Sequence, residues 1–271
     1  MTRWLTTLAG ALALLLISGP TSAQEASASS GLSQIVSSGT LRVGMSGSQP
    51  PLNFEGKDGA MHGLEVDLAH GIAGLMRVKL QIVRTPFAEL LDALESGKVD
   101  LVMSGMTTTA ERSLRASFVG PYFLSGKSIL TRSTTLAQAN KAGDLDQAEL
   151  KLAALEASTS EQFVLSAIPK ASLVTTANYD EAVKLLLDGK VDALVADREI
   201  VMLTAFLHPK EGLATLREPL TIEPIGMAVR PGGGALANYL DNALGALEAS
   251  GFLSGLRSRW LERNDWVSEL P

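Results

Sequence analysis

One sequence pattern occurs twice in this chain and restricts the folds that the chain can adopt. Residues 87–104 and residues 179–196 each contain an amphipathic helical stretch, a Gly-Lys-Val-Asp turn and a short apolar run. Helices that alternate with buried strands predict βαβ units and a mainly parallel sheet. A fainter likeness, between residues 41–46 and 150–155, adds a strand to each half. The sequence therefore predicts two α/β lobes built on one plan.

The loops that follow the repeated strands are the candidate functional regions. In open α/β sheets, ligands bind beyond the carboxyl ends of the strands. The loop at residues 104–112 and the loop at 196–200 follow equivalent strands. We therefore expect them to face a shared cleft, one from each lobe.

The first loop ends in a cation. Thr109 is a suitable N-cap for a helix that carries Arg112 in its first turn. A cation there opposes the helix dipole, whose N-terminus is already positive. Hydroxyl groups, free N–H groups and a guanidinium in one place predict an anion site, most simply for a carboxylate. The alternative is that Arg112 pairs with a nearby acid such as Glu111.

The second lobe offers donors and a carboxylate. Ser158 and Glu161 form a capping-box pattern, which predicts a helix start with free N–H groups directly after a strand. Asp197 follows the apolar run 191–196 at the matching strand end. This carboxylate could bind an ammonium group or cap the following helix, because both uses are common for Asp at such ends.

The first residues have the pattern of a secretory signal peptide. Arg3 supplies the positive charge, residues 8–17 the apolar core, and residues 21–23 a small-residue cleavage site after Ala23. That apolar core is too short to span a bilayer. We therefore expect a leader at residues 1–23 and a mature protein in a bacterial periplasm.

Composition excludes several classes of protein. The chain contains no Cys, which removes disulfides, thiolate metal sites and cysteine nucleophiles. Loss of Arg3 with the leader leaves 22 basic and 29 acidic residues, a balance that argues against a nucleic-acid partner. The three histidines are far apart and lack metal-ligand spacing. We expect no metal and no cofactor.

Two extended segments predict a hinge. Residues 126–132 and 218–230 both have the composition of extended chain. A chain that leaves the first lobe near residue 132 and returns near 221 would cross between lobes twice. The expected division is residues 24–132 plus 222–271 for lobe 1 and 133–221 for lobe 2.

Several short motifs, taken together and in order, resemble the bacterial extracellular solute-binding proteins of family 3, the periplasmic receptors of amino-acid ABC importers. The motifs are Gly-Thr-Leu-Arg-Val-Gly at 39–44, Pro-Pro-Leu-Asn-Phe at 50–54, Gly-Leu-Glu-Val-Asp-Leu at 63–68, Leu-Glu-Ser-Gly-Lys-Val-Asp at 94–100, Ser-Gly-Met-Thr-Thr-Thr-Ala-Glu-Arg at 104–112, Gly-Pro-Tyr-Phe at 120–123, Asp-Gly-Lys-Val-Asp-Ala at 188–193, Val-Ala-Asp at 195–197 and Glu-Pro-Ile-Gly-Met-Ala-Val at 223–229. The resemblance implies a periplasmic-binding-protein-like fold, with two α/β lobes, a two-strand hinge and the ligand cleft between the lobes.

The resemblance also implies roles for particular residues. In family members, the arginine that matches Arg112 holds the ligand α-carboxylate, assisted by Thr107 and by the capped helix at Ser158 and Thr159. The position of Asp197 meets the α-ammonium group.

Four further positions complete the expected ligand site. The backbone of Ser104 and Gly105 is expected to assist the ammonium contact, and Phe87 is an expected pocket wall. Gln49 stands where many relatives carry an aromatic residue that covers the ligand side chain. That departure leaves the identity of the ligand open.

The expected function is therefore a monomeric receptor without catalysis. It captures a small zwitterionic solute, an amino acid in the simplest case, by closing its lobes, and delivers it to the permease of an ABC importer. Two alternatives remain. The same fold resembles a periplasmic cyclohexadienyl dehydratase, for which Glu199 is the candidate proton donor. A sensor module would need a separate output partner.

Overall fold

The computed structural model describes residues 31–271, so the predicted signal peptide at residues 1–23 lies outside the described residues. The described chain contains thirteen strands and eight α-helices. In chain order they are α1 (Gly31–Ser38), β1 (Thr40–Met45), β2 (Ser48–Gln49), β3 (Asn53–Glu55), β4 (Met61–His62), α2 (Leu64–Met76), β5 (Lys79–Arg84), α3 (Leu90–Glu95), β6 (Leu101–Val102), β7 (Ser117–Ser125), β8 (Lys127–Thr131), β9 (Lys151–Leu155), α4 (Thr159–Ala167), β10 (Ser172–Thr176), α5 (Tyr179–Leu187), β11 (Ala193–Asp197), α6 (Arg198–Leu207), β12 (Ala214–Thr215), β13 (Glu223–Val229), α7 (Gly234–Ala249) and α8 (Phe252–Arg257).

Two five-stranded sheets form the two lobes. The first sheet has the order β5-β1-β6-β13-β7, and the second has the order β10-β9-β11-β8-β12. In each sheet the first three strands are parallel, the fourth runs antiparallel to the third, and the fifth runs antiparallel to the fourth. The prediction of two α/β lobes built on one plan is confirmed.

The repeated pattern occupies the same place in both lobes. Its first copy forms α3 and β6, and its second copy forms α5 and β11. Both β6 and β11 are the middle strands of their sheets. Because neighbours cover both edges and helices cover the faces, these strands are continuous apolar runs and do not alternate.

The C-terminal helices close the first lobe. Trp260 and Trp266 pack on Phe54, with ring centroids 6.0 and 5.7 Å from it. Asp67 lies in the first turn of α2. Its carboxylate accepts a 2.8 Å hydrogen bond from the Trp260 indole, so it anchors the C-terminal segment.

The two crossings between the sheets lie side by side. Gly126 separates β7, in the first sheet, from β8, in the second. The Lys127 N–H donates to the Thr221 hydroxyl (2.9 Å), and the Leu220 N–H donates to the Lys127 carbonyl (2.7 Å). Strand pairing thus puts residues 127–131 in the second sheet, whereas the expected division left them in lobe 1. We propose crossings at Gly126 and near Thr221.

Candidate functional site

The loop that holds Arg112 ends in a single 3₁₀ turn, Arg112–Leu114, where the sequence predicted an α-helix. The cap itself is present, because the Arg112 N–H donates to the Thr109 hydroxyl at 3.1 Å. A three-residue turn has almost no macrodipole. The positive charge at this place therefore comes from the guanidinium.

The Arg112 guanidinium is buried and has no carboxylate partner among residues 31–271. Its Nη1 donates to the Thr107 carbonyl (3.0 Å) and its Nη2 to the Ala157 carbonyl (3.1 Å). It lies 5.6 Å from the centroid of the Phe87 ring, within range of a cation–π contact. Glu111 does not pair with it and binds Gln162 instead. Burial lowers the pKa of Arg112, and the fields of Asp197 and Glu223 oppose that shift.

The lobes touch on this side of the cleft. The hydroxyl groups of Thr107 and Thr159 lie 3.2 Å apart. Gln162, in α4 of the second lobe, donates to Glu111 in the first lobe at 3.0 Å. Together with the Arg112 bond to Ala157, these contacts join the loop of one lobe to the helix start of the other.

At the start of α4, the hydroxyl of Ser158 is used by the helix. It accepts from the N–H groups of Ser160 and Glu161 (3.2 Å each) and donates to the Leu155 carbonyl (2.6 Å). Within the described chain, the N–H of Thr159 donates to no residue. The predicted helix start and its Ser158 N-cap are therefore confirmed. The reciprocal bond of a capping box is not formed, since Glu161 Oε2 accepts from the Ala157 N–H instead of the Ser158 N–H. Thr159 offers the free N–H group of this helix.

Asp197 is at the N-cap position of α6, yet its side chain caps nothing. Its Oδ1 accepts from the Lys127 ammonium at 2.5 Å, and the same ammonium lies 3.7 Å from Glu223 Oε2. All three side chains are buried. We call Asp197, Lys127 and Glu223 the acidic pole of the cleft, and Arg112 its cationic pole.

The predicted residues of the first lobe form one polar network. The Ser104 hydroxyl accepts from the Ser46 N–H (3.0 Å) and lies 3.3 Å from the Gln49 amide oxygen. The N–H of Gly105 donates to Glu65 Oε1 at 2.7 Å, so it is occupied. The carbonyls of Ser104 and Gly105 accept no hydrogen bond from a described residue. They are the backbone acceptors left for a ligand.

Sequence reasoning missed Glu65, which lies at the centre of that network. This fully buried carboxyl also accepts from the Tyr122 hydroxyl and from Asn53 Nδ2 (2.6 Å). Burial raises its pKa, although its three hydrogen-bond donors act in the opposite direction. An acid inside the apolar helix pattern of residues 63–68 was the available signal.

Lys127 and Glu223 were also missed. Lys127 begins β8, whose five residues are all buried, and a charged residue in such a strand needs a partner. Glu223 likewise begins a buried strand, β13. A charged residue at the start of an apolar strand was visible in the sequence, but the residue with which it pairs was not.

Glu199 lies two residues beyond Asp197 and accepts from the Ser125 hydroxyl at 2.5 Å. Burial raises its pKa to about 7, and the nearby charge of Asp197 acts in the same direction. It lines a cavity of about 350 Å³ with Trp260 and Trp266. The walls of that cavity include neither Arg112 nor Asp197.

The arrangement is suited to binding a small dipolar solute. A buried cation and a buried acidic group lie close enough for their fields to act on each other. Among residues 31–271, no cluster of three or more His, Asp or Glu side chains could hold a metal ion.

Comparisons with known proteins agree on one group. Residues 41–263 match the model of a family described as bacterial extracellular solute-binding proteins, family 3. A cyclohexadienyl dehydratase of Pseudomonas aeruginosa is 28% identical over 248 residues, which is 92% of this chain and 91% of that protein. The ABC transporter arginine-binding protein 1 of Escherichia coli is 27% identical over 81% of this chain and 90% of its own length. Among solved structures, an ancestral amino-acid-binding protein described as a precursor of cyclohexadienyl dehydratase gives a TM-score of 0.79 at 33% identity, covering 86% of this chain and 99% of its own.

Proposed function

The chain belongs to family 3 of the bacterial extracellular solute-binding proteins, and on that premise we propose that it is a receptor for a small zwitterionic solute, an amino acid in the simplest case. Related proteins are named for binding arginine, cystine and glutamine. Their names suggest the class of solute.

The observation that carries the proposal is the state of Arg112. This side chain is only 6% exposed, and its Nη1 and Nη2 donate to carbonyl oxygens. A buried guanidinium without a carboxylate is costly, and a ligand carboxylate would remove that cost. Thr107, the Thr159 N–H and Phe87 surround this charge and form the rest of the proposed carboxylate pocket.

The ligand's ammonium group would occupy the opposite side. Asp197 would receive it, with the Ser104 and Gly105 carbonyls as additional acceptors. Gln49 would lie beside the ligand, since it is buried and bonded to Ser104. A zwitterion held by both lobes favours the closed form by its differential affinity, and this closed form would dock on the permease of an ABC importer.

The proposed location is the periplasm, after cleavage near Ala23. None of the helices in residues 31–271 is long and apolar enough to cross a membrane. Mass spectrometry of the secreted protein should give a mature chain beginning at Gln24, and size-exclusion chromatography with light scattering should give a monomer.

Calorimetric titration tests the receptor function directly. The mature protein is unfolded and refolded to remove carried-over ligand, then titrated with the common amino acids and with prephenate. We expect one amino acid to bind tightly. We expect Arg112→Ala and Asp197→Ala each to weaken binding about 100-fold or more, because each leaves a desolvated ligand charge unpaired. Arg115→Ala is the matched control, since Arg115 pairs on the surface with Asp92 and Glu95.

A second candidate function is a periplasmic dehydratase acting on prephenate or arogenate. A buried carboxyl with a pKa of about 7 is suited to protonate a leaving hydroxyl group, and Glu199 has that property. The dehydratase of P. aeruginosa is a relative over nearly the whole chain. The buried Arg112 guanidinium, whose two donors reach carbonyl oxygens, and the relatives named for binding amino acids make the receptor the better-supported function.

The dehydratase is tested by incubation with prephenate. Proton transfer to the leaving hydroxyl, with loss of the ring carboxylate as carbon dioxide, would leave an aromatic product that absorbs in the ultraviolet. Turnover that is lost in Glu199→Gln would establish the enzyme. Binding of an amino acid without any turnover would support the receptor.

A further inference from the structure

A buried group of three charges lies at the junction of the lobes. The Lys127 ammonium is 2.5 Å from Asp197 Oδ1 and 3.7 Å from Glu223 Oε2, and its side chain is 1% exposed. An ammonium group buried to this extent needs a carboxylate partner, because an unpaired buried charge is strongly destabilising.

The three residues come from the crossings and from the cleft. Lys127 follows the first crossing at Gly126, and Glu223 begins the strand after the second. The Thr221 hydroxyl connects them, accepting from the Lys127 N–H (2.9 Å) and donating to Glu223 Oε1 (3.0 Å). Asp197 is the member at the end of a central strand, where the ligand is expected.

The charges of this group do not cancel. Asp197 and Lys127 alone would form a neutral pair, with little attraction for a second cation. With Glu223 included, two carboxylates face one ammonium group, which leaves one net negative charge. Two carboxylates without Lys127 would repel each other.

We propose that Lys127 and Glu223 are specificity-determining residues of this cleft: with Asp197 they hold the acidic pole at one net negative charge, which selects a ligand carrying an ammonium group and disfavours one carrying a hydroxyl, oxo or carboxylate group there. The inference rests on the proposed receptor function and explains why the cleft selects a ligand that carries an ammonium group. Neither residue needs to touch the ligand, since both act through Asp197.

Other titratable groups near the acidic pole have to be held in one state during the test. These are Glu65 in the first lobe and Glu199 and Tyr179 in the second; burial raises the pKa of each, and the charge of Asp197 acts in the same direction. At about pH 6, below the Glu199 pKa, a carboxyl of this kind is mainly neutral. The measurements are therefore made there.

The experiment is a charge-restoration cycle. Refolded wild type, Glu223→Gln, Lys127→Met and the double variant are titrated calorimetrically with the amino acid that the wild type binds most tightly and with its 2-hydroxy acid. Thermal melts verify that each variant folds. Glu218→Gln, an exposed change near the second crossing, is the control.

Restoration of charge is the expected result. Glu223→Gln makes the pole neutral and should weaken binding of the amino acid about tenfold or more. The affinity for the 2-hydroxy acid should rise relative to that for the amino acid. The double variant leaves Asp197 alone, again with one negative charge, and should recover wild-type affinity to within about threefold. Lys127→Met, in which the pole has two carboxylates and no ammonium group, completes the cycle.

Two failures can be told apart. A double variant that binds the amino acid as weakly as Glu223→Gln, or more weakly, would overturn the charge assignment and leave Lys127 and Glu223 with a structural role. A wild-type protein that binds no amino acid would instead contradict the receptor function itself.

Discussion

Ala157 has a strained backbone conformation and contacts the cationic pole of the cleft. Its φ of +56° is in the left-handed region, which costs an L-residue about 1–2 kcal/mol. Its carbonyl accepts from Arg112 and its N–H donates to Glu161 Oε2 (2.6 Å). The strained conformation thus points the carbonyl at the cationic pole.

We expect Ala157→Gly to stabilise the protein by roughly 0.5–1 kcal/mol. Glycine adopts this φ without strain. The greater entropy of its unfolded chain offsets about 0.4–1 kcal/mol of the strain that is relieved. Urea unfolding measures the change. Ala246→Gly, an exposed position inside α7, is the control and should destabilise by about 1 kcal/mol. A less stable Ala157→Gly variant would contradict the strain argument.

Glu199 should give the protein a pH-dependent stability near neutrality. Its folded-state pKa of about 7 lies above the ordinary 4.5, so its contribution is fully present below about pH 4.5 and is lost as the pH rises through 7. The shift of about 2.5 units corresponds to about 3 kcal/mol as an upper limit.

The measurement compares wild type with Glu199→Gln by denaturant unfolding from about pH 5 to 8. The free energy of unfolding of the wild type should fall relative to the variant as the pH rises, because the variant has no carboxyl to ionise. The control Glu218→Gln should run parallel to the wild type. Parallel curves for Glu199→Gln would show that the carboxyl is ionised without penalty.

Among the elements, the two crossing segments depend on a close backbone approach. A Cβ added to Gly126 would lie 2.1 Å from the Thr221 carbonyl oxygen and 2.8 Å from Cβ of Pro219. Backbone atoms cannot yield as a flexible side chain can. The crossings therefore need glycine at this position, and the sequence showed only that it begins an extended segment.

Gly126→Ala should separate the crossings, lower stability by about 1–3 kcal/mol and weaken ligand binding, because the acidic pole begins at the next residue. Thermal unfolding and calorimetric titration measure the two effects. Gly245→Ala, inside α7 with no atom within 4 Å of the added Cβ, should be neutral or stabilising by up to about 1 kcal/mol. Unchanged stability in Gly126→Ala would mean that the crossings tolerate separation.

For the molecule as a whole, ligand binding and lobe closure should be one event. At a ligand concentration of 100 times Kd, a ligand that binds the folded state and not the unfolded state adds about 2.7 kcal/mol to the free energy of unfolding. For a chain of this size, that corresponds to a rise in Tm of about 5–10 °C. Differential scanning calorimetry should detect this rise, and small-angle scattering should show a smaller radius of gyration with ligand than without.

Arg112→Ala should abolish both responses, since the ligand carboxylate then has no cation. A rise in Tm without any change in the radius of gyration would separate binding from closure. It would also mean that the contacts between Thr107 and Thr159 persist in the ligand-free protein.

The sequence alone determined the lobes, their common plan and the loops that carry Arg112 and Asp197. These follow from hydrophobic periodicity, Gly-Lys-Val-Asp turns and capping residues, which act within a few positions along the chain. The tertiary structure decided which polar groups remain free. Lys127 reaches Asp197 from 70 positions away, and Glu65 takes the Gly105 N–H from 40 positions away. Such contacts depend on how separate elements pack, so no local pattern could specify them, and the charge of the acidic pole became visible only in the folded molecule.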